Sequence, residues 1–335
     1  GYTGLKKEGV LEDFNKMLFH RGPDDSGIFE NNEVHLSMNR LEILDFENGK
    51  QPMSNEDKSL VIIFNGEIYN YIELREELIN EGATFNTQSD TEVVLKGYEK
   101  WGYSFFNRLN GMFALGIYDN YMSKIILARD HLGKKPLYYF FSKEGKDLFF
   151  ASEFKSLSHC FVNVFGHQND VNQVAIAWYF AFKSMPDEWT INKNICKLPP
   201  GNILEFDLKS KKYRVSQFYT LAKKDNSGAS LFSLNEQFEK LLLDSVRIRM
   251  RSDVEIGAYL SGGVDSSLVT AMASSFTAKP LRTYSLVYNE DINNKKADQY
   301  YSKLIASKFG TKHTEVLLTA DSFIEELPKI VKHYG

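Results

Sequence analysis

Two groups of residues in this chain carry side chains suited to chemistry. Arg40, Glu67 and Asp90 supply one cation and two anions. That set can hold a free amino acid by its α-carboxylate and α-ammonium, since a buried charge left unpaired is costly. Asn65 and Gly66, directly before Glu67, add a side-chain amide and an unhindered backbone N–H, the donors that hydrolysis of a carboxamide needs for its oxyanion. Taken singly, each has an ordinary reading: Arg or Asp as a surface charge or cap, Asn-Gly as a hairpin turn. The second group is Ser261-Gly262-Gly263-Val264-Asp265-Ser266-Ser267. Small residues let backbone N–H groups approach an anion, and a helix starting there favours negative charge. The run lacks the G-x-x-x-x-G-K-[ST] spacing and has no Lys within it. Asp265 beside phosphates is repulsive unless a divalent cation intervenes, so the run implies Mg²⁺ held by Asp265 and phosphate oxygens. Its ordinary reading is a Ser/Gly turn capping a helix.

These residues need elements to hold them. Apolar patterning predicts a helix over 10–19 that ends at His20, and a strand over 60–64 that leads into Asn65-Gly66-Glu67. Asn70 caps a helix through 78 that Gly82 ends, and Ser89-Asp90-Thr91-Glu92 opens another towards Trp101. Strand-like runs at 112–118, 124–128, 136–141 and 147–151 predict antiparallel sheet. Leu198-Pro199-Pro200-Gly201-Asn202 punctuates the chain, and Lys/Ser-rich stretches at 209–216 and 223–230 read as linker. Ser233 and Glu236 then form a capping box ahead of Phe238, Leu241, Leu242, Val246 and Met250 at helical spacing. Strand 255–260, helix 267–276, strand 281–287, helix 298–309 and strand 314–318 follow in alternation. Such a series predicts a parallel sheet with right-handed crossovers, the glycine run lying at a strand's carboxyl end. The expected division is a first domain over 1–208, a linker over 209–232 and a second domain over 233–335.

With 335 residues, 43% hydrophobic and 14% aromatic, the chain can bury two sizeable cores. A net charge of −4 gives no general attraction to nucleic acid or anionic membrane. Apolar runs are too short to span a bilayer and the N-terminus shows no signal-type apolar region, so a cytoplasmic protein is expected. Cys160 and Cys196 fall in no disulfide or metal spacing.

In order, HRGPD, RLEILD, NGEIYN, SDTE, LNGMFALGIYD, ARDHLGKKPLYY, ASEFKSL and LPPGN resemble the glutaminase domain of class II glutamine amidotransferases. The SGGVDSS loop resembles the pyrophosphate loop of ATP pyrophosphatases. Together with RMRSDVEIGAYLSGGVDSS and FGTKHTEV, nearly the whole chain resembles the glutamine-hydrolysing asparagine synthetase family. The resemblance implies an α+β sandwich of N-terminal-nucleophile type followed by an α/β parallel-sheet ATP-pyrophosphatase domain. It also implies that Arg40 with its following strand (Leu41, Glu42, Ile43, Leu44), Asn65, Gly66, Glu67 and Asp90 hold glutamine, Asn65 and Gly66 forming the oxyanion hole. ATP is implied at Leu260, Ser261, Gly262, Gly263, Asp265 and Ser266, with Leu286 beside the nucleotide. The implied activity moves the glutamine amide nitrogen to aspartate through an aspartyl-adenylate, giving asparagine, glutamate, AMP and pyrophosphate.

In that family an N-terminal Cys thiol attacks glutamine with its own amine as base. Gly1 and Gly4 match the family's Cys-Gly-x-x-Gly opening if a Cys directly precedes Gly1. The nucleophile is thus expected outside this sequence; a register with several further preceding residues is the alternative. The family's aspartate-site segments are expected beyond Gly335. The same scaffold serves amidotransferases acting on a sugar acid, a peptide or a β-lactam precursor, and non-catalytic glutamine-binding relatives. Joint presence of Arg40, Asn65, Glu67, Asp90 and Asp265 argues against the non-catalytic reading. Expected partners are glutamine, aspartate and ATP with Mg²⁺, with a homodimer allowed and neither nucleic acid nor membrane.

Overall fold

The structure is a computed structural model that describes every residue except 143, 169, 187, 222–227, 289–294 and 335. The chain divides into two compact units, Gly1–Ala222 and Lys223–Gly335. In chain order the first contains β1 (Tyr2–Thr3), α1 (Val10–Leu18), β2 (Asp25–Glu30), β3 (Val34–Arg40), β4 (Met53–Ser54), β5 (Leu60–Ile68), α2 (Tyr71–Asn80), α3 (Asp90–Trp101) and β6 (Gly111–Asp119). It continues with β7 (Lys124–Arg129), β8 (Tyr138–Phe141), β9 (Leu148–Ala151), α4 (Phe154–His159), α5 (Gln173–Phe182), β10 (Cys196–Lys197), β11 (Asn202–Asp207) and β12 (Tyr213–Gln217).

Two six-stranded sheets form, with strand orders β10-β8-β9-β1-β3-β2 and β12-β11-β7-β6-β5-β4. Their facing surfaces share one core, in which Val34, Leu36 and Phe150 meet Val61, Leu127 and Phe206. The outer face of the second sheet packs on α2 and α3 through Leu78, Val94 and Phe113. The outer face of the first packs on α1 and α4 through Phe14, Phe149 and Leu157. The result is helix, sheet, sheet, helix, the expected α+β sandwich. It explains why the strands read as continuous apolar runs: on β5, Leu60, Ile62 and Phe64 enter the helix-side core while Val61 and Ile63 enter the inter-sheet core. Full burial of each such side chain contributes about 1.5–3 kcal/mol.

The second unit contains α6 (Leu231–Arg249), β13 (Gly257–Tyr259), α7 (Val264–Ser274), β14 (Arg282–Tyr288), α8 (Lys295–Lys308), β15 (Lys312–Leu318) and α9 (Ala320–Tyr334). Its three strands are parallel, in the order β13-β14-β15, with Ala258 opposite Thr283 and Tyr284 opposite Thr314. Among the described residues no helix is long and apolar enough to cross a membrane.

Two expectations need correction. Much of the stretch 209–216 belongs to β12, which pairs with β11 from Asn202↔Gln217 to Phe206↔Tyr213. Its polar residues sit on an exposed sheet edge, where charge guards against further pairing. Of the stretch 223–230, residues 223–227 lie outside the described residues. The capping box is also displaced: α6 starts at Leu231, and Ser230 Oγ accepts from the Ser233 N–H at 3.2 Å. Ser233 instead accepts from Gln237 Nε2 within the helix, at 3.1 Å.

Candidate functional sites

In the first unit a cavity of about 210 Å³ is lined by residues of β3, β5, β6 and β9 and by the start of α3. Arg40 ends β3 and Asp90 is the first residue of α3, whose Ser89 cap accepts from the Glu92 N–H at 3.3 Å. Asn65, Gly66 and Glu67 do not form a hairpin turn. They continue β5, facing Ala114, Phe113 and Met112 of β6. Gly66 is required there, because a Cβ would stand 2.2 Å from the Met112 carbonyl oxygen and 2.7 Å from Phe113 Cα. Asn65 Nδ2 reaches Ser152 Oγ at 3.5 Å.

The structure brings Arg40, Leu41, Ile43, Leu44, Asn65, Gly66, Glu67 and Asp90 to this one cavity, together with Gly1. Glu42 is not among the lining residues: its N–H donates to Asp24 Oδ2 at 3.0 Å and its Oε1 accepts from Arg40 Nη1 at 3.3 Å. Residues 41–44 are irregular rather than a strand. The physical reason is the Arg40 guanidinium, whose Nη2 donates to the carbonyls of Leu44 at 2.6 Å and Asp45 at 2.9 Å, curling the loop around the cation.

Burial pushes the Asp90 carboxyl up to about 7; the Ile68 N–H it accepts at 2.9 Å opposes that rise and nearby Glu67 adds to it. Burial also raises Glu67, with Lys135 opposing. Lys135 is lowered by burial and then by Arg21. The Gly1 amine donates to the Phe150 carbonyl at 2.9 Å, and burial pushes it down to about 4. Burial moves Cys160 up to about 12 and raises Cys196 as well, so neither is a thiolate at neutral pH.

Arg21, Lys135 and Ser152 also line the cavity, although reasoning from residue types did not single them out. Lys135 is placed by its neighbours. Asp130 accepts the N–H groups of Leu132, Lys134 and Lys135, and Arg129 Nε donates to the Lys135 carbonyl at 2.8 Å. Two successive lysines before Pro136 gave a faint signal, but nothing in the sequence says which one turns inward.

In the second unit the glycine run joins β13 to α7. Gly262 has φ +82, and a Cβ there would stand 2.1 Å from the Asp298 carbonyl oxygen, so no other residue fits. Ser261 and Ser266 hydroxyls bond each other at 3.0 Å, and Ser266 Oγ donates to the Gly263 carbonyl at 3.2 Å. Gly263 precedes α7 without a side-chain cap, and Asp265 is exposed in its first turn. Leu260 is fully buried, whereas Leu286 on β14 is exposed. Among the described residues no three His, Cys, Asp or Glu side chains cluster to hold a metal alone. The Ser261 N–H donates to Ser266 Oγ at 3.2 Å and the Gly263 N–H to Ser261 Oγ at 3.5 Å, and a lone exposed carboxylate at such a turn suits an ion whose other ligands are phosphate oxygens and water.

Residues 1–219 match the family model described as a glutamine amidotransferase domain, and residues 237–335 match that described as asparagine synthase. A glutamine-hydrolyzing asparagine synthetase 1 from Bacillus subtilis (strain 168) is 36% identical over 334 residues, covering 98% of this chain and 50% of its own length. A putative glutamine-hydrolyzing asparagine synthetase 2 from Methanocaldococcus jannaschii is 37% identical over 355 residues, covering 98% of this chain and 66% of its own. The chain thus spans about half to two thirds of these relatives' lengths. Over residues 1–219 the chain therefore belongs to the glutamine amidotransferase domain family, joined to a segment that matches the asparagine synthase model.

Proposed function

We propose that the first unit holds glutamine for hydrolysis of its amide and that the second binds ATP, as parts of an enzyme that amidates aspartate to asparagine. The observation that carries this reading is the gathering of Arg40, Asn65, Gly66, Glu67 and Asp90 around one cavity that also takes in Gly1. Glu67 and Asp90 would receive the α-ammonium, with Arg40 and the loop it orders near the α-carboxylate. Asn65 Nδ2 and the Gly66 N–H would hold the developing oxyanion. On this reading the nucleophilic Cys would precede Gly1, a residue that lines the cavity wall. In the second unit Ser261, Gly262, Gly263 and Ser266 would cradle the pyrophosphate, and Asp265 would share Mg²⁺ with it.

The test is a chain carrying Cys directly before Gly1 with its amine free. It should release glutamate from glutamine, while the chain beginning at Gly1 stays at background. Asn65→Ala in the Cys-bearing chain should lower turnover by about 10²–10³. Equal release by both chains, or none by the Cys-bearing one, would overturn the assignment.

A further inference from the structure

Five charged side chains line the glutamine cavity: Arg21, Arg40, Glu67, Asp90 and Lys135. Three are committed. Arg21 Nη1 bonds Glu153 at 3.1 Å, Arg40 holds its loop, and Asp90 accepts from Ile68. Among the described residues Glu67 and Lys135 alone of the five have neither a hydrogen bond nor an ion pair, although each feels the other's charge. Lys135 is half-buried, and its backbone is fixed at both ends by Asp130 and Arg129.

We propose that Lys135 is a positioning residue of this site, its ammonium serving as a counter-charge that keeps the Glu67 carboxylate available to an incoming ammonium group. A directly paired lysine would occupy the carboxylate's lone pairs and compete with the ligand. One standing off acts through its field alone and leaves those acceptor positions open. The arrangement answers a specific difficulty. Burial disfavours charge on Glu67, yet an ammonium ligand is held by the charged form. Of the three cations in the cavity, Lys135 is the one whose charge opposes the rise of Glu67; Arg21 is paired with Glu153 and Arg40 is turned to its own loop.

The inference rests on the glutamine reading above, and calorimetric titration with L-glutamine separates the two. Lys135→Met should weaken binding about three- to tenfold near pH 6 and less than about twofold near pH 8, because the ionisation of Glu67 moves to higher pH. Lys135→Arg should restore the original profile, and Lys134→Met, altering the exposed neighbour, should leave it unchanged. A loss of equal size at both pH values, or no rescue by arginine, would overturn the role given to Lys135. Failure of the unsubstituted chain to bind glutamine at either pH would overturn the glutamine reading, and this inference with it. Thermal melts of all three variants separate misfolding from a change at the site.

Discussion

Asp90 sits where its carboxylate is least welcome, fully enclosed and beside a second acid, so its ionisation opposes folding unless a cation arrives. Unfolded, an aspartate ionises near pH 4; here burial raises that to about 7. Between these values the folded form holds a proton that the unfolded form has lost, so this group's contribution to stability falls as pH rises and is fully adverse above about 7. Asp90→Asn keeps an oxygen for the Ile68 N–H and removes the titration. Its stability relative to the unsubstituted chain should therefore improve steadily from about pH 4 to about pH 7 in urea titrations, while glutamine binding falls at least about tenfold. A stability difference that does not vary with pH would refute the assignment. That Asp90, Arg40 and Asn65 meet at one cavity was legible in the sequence, because amino-acid recognition would demand those charges and donors together. Glu42 was not, because its fate depends on which way a loop curls round Arg40.

Elements were legible where one physical signal dominated. The helix opened by Ser89 and the strands of the inter-sheet core carry caps and long apolar runs, and they form close to where these fall. The short β12 carries charge on an exposed edge and reads as linker, and α5 is apolar nearly all round, giving no periodicity to find. The turn from β13 into α7 was legible because consecutive small residues between an apolar strand and an apolar helix mark a tight junction, which Gly262 at φ +82 makes. There the role given to Asp265 is open to a direct check. If it meets pyrophosphate through Mg²⁺, Asp265→Asn should weaken ATP binding at least about tenfold with Mg²⁺ present. Without Mg²⁺ the variant should bind equally or more tightly, since a repulsive charge is gone. Titration calorimetry with and without the ion reads both, and an unaltered Mg²⁺ dependence would exclude the role.

At the scale of the molecule the two units differ in how much they bury. Among the described residues the first holds three apolar clusters built on two sheets, whereas the second has one in which Val246, Ala273 and Leu281 are the buried members. Its α9 buries no residue, and Leu241, Val316 and Ile324 remain largely exposed. Because stability follows buried apolar area, the second unit should unfold first and the first separately at higher temperature. Scanning calorimetry should show two transitions. Glutamine should raise only the upper one, since ligand bound to one folded unit stabilises that unit by mass action. Phe113→Ala, which opens a void between β6 and α3, should lower the same transition by about 3–5 kcal/mol and leave the lower unmoved. A single transition shifted as a whole by both treatments would mean that the two units fold as one.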